Sequence, residues 1–122
     1  MGLILFSWCR HPDYPLVVAA NRDEFYDRPT APAGYWQEAP HVLAGRDRQK
    51  GGTWLGVDRR GRLAAVTNYR DPSAERKNAL SRGELVMHFL LQSQTANEYL
   101  QQLQPDCHQY NGFNLFLCDK TG

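Results

Sequence analysis

The sequence is short of cysteine, of net charge and of long apolar runs, and each shortage removes a class of protein. There are three cysteines, Cys9, Cys107 and Cys118, and no CxxC pair. That odd count supports no disulfide framework and fits reduced thiols, so a cytoplasmic protein is expected. The formal charge is only +1, so gross charge points to no nucleic acid and no membrane surface as partner. The longest apolar runs, residues 3–6 and 15–20, are brief, whereas a membrane-spanning helix needs roughly 20 apolar residues. No membrane insertion is expected. No basic region precedes an apolar stretch at the N-terminus, so a secretory signal is not expected either. The four histidines, His11, His41, His88 and His108, are not paired with other ligand types at metal spacing, and CxxCH is absent. Gly2 invites myristoylation, but Phe6 stands where that signal wants Ser or Thr. Internal repeats and low-complexity tracts are missing as well. Nothing in the pattern sets an oligomeric state.

What is present is a globular pattern. A chain of 122 residues allows one domain with one core, and 42% hydrophobic residues argue against disorder. Residues 3–8 and 16–20 read as strands of a first hairpin, turned by His11-Pro12-Asp13-Tyr14-Pro15. Residues 28–41, with Pro29, Pro32, Gly34 and Pro40, read as an irregular surface loop, and residues 42–44 as a short strand. Residues 53–57 and 63–68 form a second hairpin, with Gly61 free to take a left-handed conformation in its turn. The two hairpins are expected to share one antiparallel sheet. Ser81 with Glu84, and Thr95 with Glu98, have capping-box spacing and predict helices over 82–91 and 96–104, the second ended by Pro105. Residues 113–118 read as a last strand. Asp119-Lys120-Thr121-Gly122 looks like a turn whose return strand is missing, so a C-terminally truncated chain is expected. Strands followed by helices and a further strand give an α+β class.

Charge is unevenly distributed. Residues 46–82 hold ten of the fourteen lysines and arginines, for a local balance of +6 against −5 elsewhere. Such a segment suits a phosphorylated ligand; its bland alternative is a solvated strand face. The cluster Asn21-Arg22-Asp23-Glu24 at a strand end is the densest polar group. It reads as a strand-end cap with a surface ion pair, or as a site.

Three stretches together carry a resemblance. The first is residues 17–25, with Asn21-Arg22-Asp23-Glu24. The second is Leu43-Ala44-Gly45-Arg46-Asp47 and then Gly51-Gly52-Thr53-Trp54-Leu55-Gly56. The third is Gly61 to Tyr69, followed by Ser81-Arg82-Gly83-Glu84-Leu85. The chain resembles the N-terminal half of the NRDE family, the transport and Golgi organisation 2 family. That resemblance implies a fold like that of N-terminal-nucleophile hydrolases, layered αββα, of which residues 1–122 would be the first half as a single domain.

A remoter resemblance, to penicillin acylases and bile salt hydrolases, implies a catalytic set. Residue 2 would be the nucleophile, with its α-amine as base. Asn21 and Asp23 match the Asn-x-Asp that closes the second strand, and Asn68 the asparagine that ends the later hairpin. Asp23 would orient the amine and Asn68 stabilise an oxyanion. Residue 2 is glycine here, where family members typically have cysteine. Cys9 lies about 23 Å further along an extended strand and Ser7 about 16 Å, too far to replace it.

Three functions follow. The family resemblance implies a carrier of coenzyme A, acyl-coenzyme A or haem, with Arg22, Glu24, Arg46 and Arg48 as candidate ligand-binding residues and no cofactor required. The alternatives are an amide or ester hydrolase that has lost its nucleophile, and an organising protein of the secretory pathway. The basic segment favours coenzyme A, because haem wants an axial ligand that no residue here plainly offers.

Overall fold

A computed structural model describes residues 2–22, 24–69, 73 and 75–120. Among these, seven strands, two α-helices and one 3-10 segment follow in order: β1 (Gly2–Trp8), β2 (Leu16–Arg22), β3 (Thr30–Tyr35), β4 (Val42–Asp47), β5 (Leu55–Asp58), β6 (Leu63–Asn68), α1 (Gly83–Leu91), α2 (Ala96–Leu103), the 3-10 segment Gln104–Gln109, and β7 (Phe113–Cys118). The class is α+β. None of the described helices is long and apolar enough to cross a membrane.

The expected single sheet is in fact two. β1 and β2 form a separate two-stranded sheet, and β3-β4-β5-β6-β7 form an antiparallel sheet of five. The reason is that β6 already has β5 on one side and β7 on the other. The first hairpin therefore stacks on a face of the larger sheet, where the Phe6 ring meets Phe116 at 4.5 Å. The loop expected over 28–41 also differs, since it contains β3. Pro32 is tolerated there because β3 is an edge strand, and a register shift between Ala31 and Gly34 accommodates it.

Turn chemistry acts as expected in the β5–β6 hairpin. Gly61 has φ +81°, and the Asp58 carboxylate accepts the amides of Arg60 and Arg62. This fixes the reversal locally. Residues 53 and 54 precede β5 instead of joining it, because the Thr53 amide bonds the Gly83 carbonyl at the start of α1.

The helices cover one face of the five-stranded sheet. α1 is apolar on most sides, with Leu85, Val86, Phe89 and Leu90 wholly buried. They pack on Val42, Ala44, Ala64 and Val66 beneath and on Tyr99 and Leu103 of α2 above. α2 is capped as its sequence indicates, with the Thr95 hydroxyl accepting the Glu98 amide and Glu98 accepting the Thr95 amide. At α1 the expected box does not form: the Ser81 backbone carbonyl, not its side chain, accepts the Glu84 amide. Pro105 does not end the chain's coiling but sits inside the 3-10 segment that continues from α2.

Much of the basic segment is structural. Arg60 donates to the Leu90 and Gln92 carbonyls at the end of α1, and Arg62 donates to Gln92 and Gln94. Both arginines pair with the fully buried Asp58 side chain. A helix leaves its last carbonyls unsatisfied, and cations at that end complement its dipole. Arg62 also stacks on Phe89, and Arg59 on Tyr35.

Candidate functional site

A cavity of about 400 Å³ lies between the inner face of the β1–β2 hairpin, the ends of β5 and β6, and the segment 75–83. Strand alternation aims Gly2, Ile4, Ala20 and Arg22 at it from the hairpin, and Val66 and Asn68 line it from β6.

Gly2, Asn21 and Asn68 all border this cavity, each from a different strand, although Asn21 pairs with Leu3 and its side chain belongs to the other face of the hairpin. Asp23 lies outside the described residues. The Asn21 side-chain oxygen is occupied, because it accepts the Leu3 amide at 2.8 Å. Gly2 fits tightly. A Cβ at that position would stand 2.5 Å from the Asn21 backbone carbonyl oxygen. Any side chain there, a cysteine included, requires the strand to shift.

Of the four residues expected to bind a ligand, two line the cavity and two do not. Arg22 and Glu24 do. The Arg22 guanidinium lies 4.2 Å over the Trp54 ring, and among the described residues it has no carboxylate partner. A fork held flat on an aromatic ring loses little freedom when it binds. Arg46 lies elsewhere: it stacks on Trp36, pairs with Glu38 and donates to the Gly51 carbonyl at 2.9 Å. Arg48 is exposed and outside the cavity.

The cavity also holds residues that sequence reading missed. Arg28 bonds Asp47 through two nitrogens, at 2.6 and 3.3 Å, and approaches Glu24 at 3.7 Å. Its four-residue spacing from Glu24 was the available signal. The hydrogen bond to Asp47 holds the Arg28 guanidinium above its ordinary pKa. Burial works to raise the Asp47 carboxyl, but hydrogen bonds from Arg28 and from the Gln49 and Lys50 amides outweigh it, and the group sits below its ordinary value. Lys50, Arg76, Lys77 and Arg82 complete the cationic wall. Arg82 pairs with Glu75 at 3.3 Å. Arg76 instead donates to the His108 and Tyr110 carbonyls, while its backbone is bonded on both sides by the Asn111 side chain. That latch sets the segment carrying Lys77 against the cavity.

The electrostatics follow directly. Among the described residues, six cationic side chains line the cavity against three carboxylates, Glu24, Asp47 and Glu75. Each of the three carboxylates is in an ion pair. Arg22, Lys50, Arg76 and Lys77 have no carboxylate partner among the described residues. No cluster of potential metal ligands occurs among the described residues.

Comparison with known proteins agrees with the sequence resemblance. The family model described as Transport and Golgi organisation 2 matches residues 1–122. The Transport and Golgi organization protein 2 homolog of Bos taurus is 49% identical over 126 residues, covering 98% of this chain and 45% of its own. The Homo sapiens homolog is 47% identical with the same coverage. The Drosophila melanogaster Transport and Golgi organization protein 2 is 33% identical, over 93% of this chain and 44% of its own. The chain therefore spans a little under half the length of these relatives. On the match along its whole length and on these identities, the chain belongs to the Transport and Golgi organisation 2 family.

Proposed function

We propose that this cavity carries a small phosphate-bearing molecule of the coenzyme A or acyl-coenzyme A class, in a cytoplasmic setting and without turning it over. One observation carries the reading: the described lining of the cavity has an excess of cations, and Arg22, Lys50, Arg76 and Lys77 lack carboxylate partners among the described residues. Planar guanidinium forks and lysine ammonium groups are the side chains that recognise phosphate. Haem is the weaker ligand, because the described lining contains no histidine, cysteine, methionine or tyrosine to bind its iron. On this reading Arg22 stays in the binding set, Lys50 and Lys77 join it, and Arg46 and Arg48, which do not line the cavity, leave it.

Calorimetric titration with coenzyme A and with haem at two salt concentrations tests this. Coenzyme A binding should weaken at high salt. It should fall roughly tenfold in Arg22→Ala, in line with about 1.5–3 kcal/mol for a charge-assisted hydrogen bond. Haem binding that ignores both salt and Arg22→Ala, with no coenzyme A signal, would overturn the proposal.

A second reading, descent from an N-terminal-nucleophile hydrolase, draws on Gly2, Asn21 and Asn68 bordering the same cavity. Gly2 has nothing to attack with, and loss of a nucleophile commonly removes several orders of magnitude of rate. Thioester or amide turnover by the purified chain, abolished by Asp23→Ala, would restore the enzymatic reading.

A further inference from the structure

Trp54 stands where three parts of the molecule meet. Its backbone is pinned from both sides. The Trp54 carbonyl accepts the Val66 amide of β6 at 2.9 Å, and the preceding Thr53 amide bonds the Gly83 carbonyl at the start of α1. Gly52 lets this segment lie against the helix, since a Cβ there would stand 2.6 Å from the Gly83 carbonyl carbon. The indole packs partly against the core and also lines the cavity. A hydrogen bond is not what fixes the ring. The Trp36 indole donates to the Ala44 carbonyl at 3.3 Å, whereas the Trp54 indole has no such partner among the described residues.

Contact fixes it instead. The edge of the ring rests on Gly45, a buried residue of β4 whose neighbour Ala44 belongs to the helix-covered core. A Cβ at Gly45 would stand 2.9 Å from Trp54 Cη2 and 3.1 Å from Cζ2, with the Ala31 carbonyl oxygen at 3.3 Å. Atoms of a packed interior do not approach so closely, so a side chain at residue 45 would push the indole out of its place. On the face of the ring lies the Arg22 guanidinium, 4.2 Å from the centroid. Gly45 thus seats Trp54, and Trp54 seats Arg22. A guanidinium stacked in this way keeps its N–H donors in its own plane, clear of the ring that supports it.

We infer that Trp54 and Gly45 are positioning residues for the cavity: they hold Arg22 in one place, so that a phosphate group meets a preset guanidinium instead of a mobile one. The inference rests on the reading of the cavity as a phosphate-binding site. An unsupported arginine loses rotamer freedom when it binds, and a group held beforehand avoids that loss. The ring attracts the cation through its electron-rich face, which an aliphatic side chain of similar bulk lacks. Affinity is therefore set in part by Gly45, which acts through the indole.

Two readouts test this. In the ligand-free chain, the Arg22 Nε–H resonance, assigned by its loss in Arg22→Ala, should be shifted upfield by the Trp54 ring current. Trp54→Leu and Gly45→Ala should remove that shift, and Trp54→Phe should keep most of it. In calorimetry, Trp54→Leu should weaken coenzyme A binding about fivefold, the loss expected of one cation–π contact, and Trp54→Phe should restore most of it. In the Arg22→Ala background, Trp54→Leu should have no further effect, because the two residues act as one unit. An unshifted Arg22 resonance in the unsubstituted chain overturns the inference without reference to any ligand. A Trp54→Leu loss that is just as large in Arg22→Ala overturns it too, since Trp54 would then act on the ligand directly. If the unsubstituted chain binds no coenzyme A, the coenzyme A reading fails and inorganic pyrophosphate becomes the probe. The same pattern with pyrophosphate upholds the positioning role, and absence of pyrophosphate binding overturns it.

Discussion

The two faces of the five-stranded sheet are built on different principles. The helix-covered face is dry and closed: Leu85, Val86, Phe89 and Leu90 are fully buried, and the Tyr99 hydroxyl donates to the Leu85 carbonyl at 2.7 Å. The hairpin-covered face holds one aromatic contact, between Phe6 and Phe116, and then a charged cavity. Tight apolar packing is concentrated on the first face, and the charged cavity opens beside the hairpin, reaching Val66 and the start of α1. A cavity cannot be both water-accessible and tightly packed, so a fold that needs both separates them.

The largest expected effect lies on the closed face. Phe89→Ala should cost about 3–5 kcal/mol by denaturant unfolding, because its ring leaves a cavity among rigid neighbours. Leu5→Ala, on the open hairpin, should change stability by no more than about 0.5 kcal/mol in the isolated chain. Equal losses at the two sites would erase the contrast.

Next is the buried ion cluster at the far end of α1. Asp58→Ala leaves Arg60 and Arg62 without their carboxylate and should cost roughly 3 kcal/mol, near the lower limit for breaking a buried pair. A melting curve that does not move would mean the arginines are held by the helix carbonyls alone. Thr95→Ala, which removes the α2 cap, should cost about 1 kcal/mol. Ser81→Ala should cost little, since its hydroxyl caps nothing. If the two substitutions proved equal, the difference in capping between the helices would be refuted.

The smallest effect expected is in pH dependence at the cavity wall. The folded Asp47 carboxyl has a depressed pKa. It contributes stability that is complete above the unfolded value of about 3.9 and is lost as pH falls through the folded one. Asp47→Asn should lower stability at neutral pH and flatten the acid side of the profile, measured by urea unfolding at successive pH values. An unchanged acid slope would show that Arg28 does not stabilise the charged carboxylate.

Local signals in the sequence were read well where the cause is local. Gly61 in its turn, the Thr95–Glu98 box and the apolar period of α1 each depend on residues within a turn or two, and each formed. β3 was missed because Pro32 argues against a strand unless that strand is known to be an edge, which only sheet order reveals. The candidate site was legible in part. Gly2, Asn21, Arg22, Glu24 and Asn68 line the cavity, whereas Arg46 and Arg48, grouped with Arg22 and Glu24 in the sequence reading, do not, and Asp23 lies outside the described residues. Arg28 was missed: its spacing from Glu24 was a faint signal, and its main partner Asp47 is nineteen residues away. The basic segment was misleading, because charge counting cannot separate Lys77 on the cavity wall from Arg62 buried against Phe89.

What the sequence alone determined is most of the elements, β3 excepted, together with the α+β class, the family, and the motif residues gathered at strand ends. These follow from side-chain period and backbone preference, which act over a few residues. Only the tertiary structure decided that the first hairpin stacks on the larger sheet instead of extending it. It also decided which cations are bound up with helix carbonyls and which line the cavity. Those outcomes depend on which surfaces meet across the chain, and hydrogen bonds and charges have no preferred partner until packing supplies one.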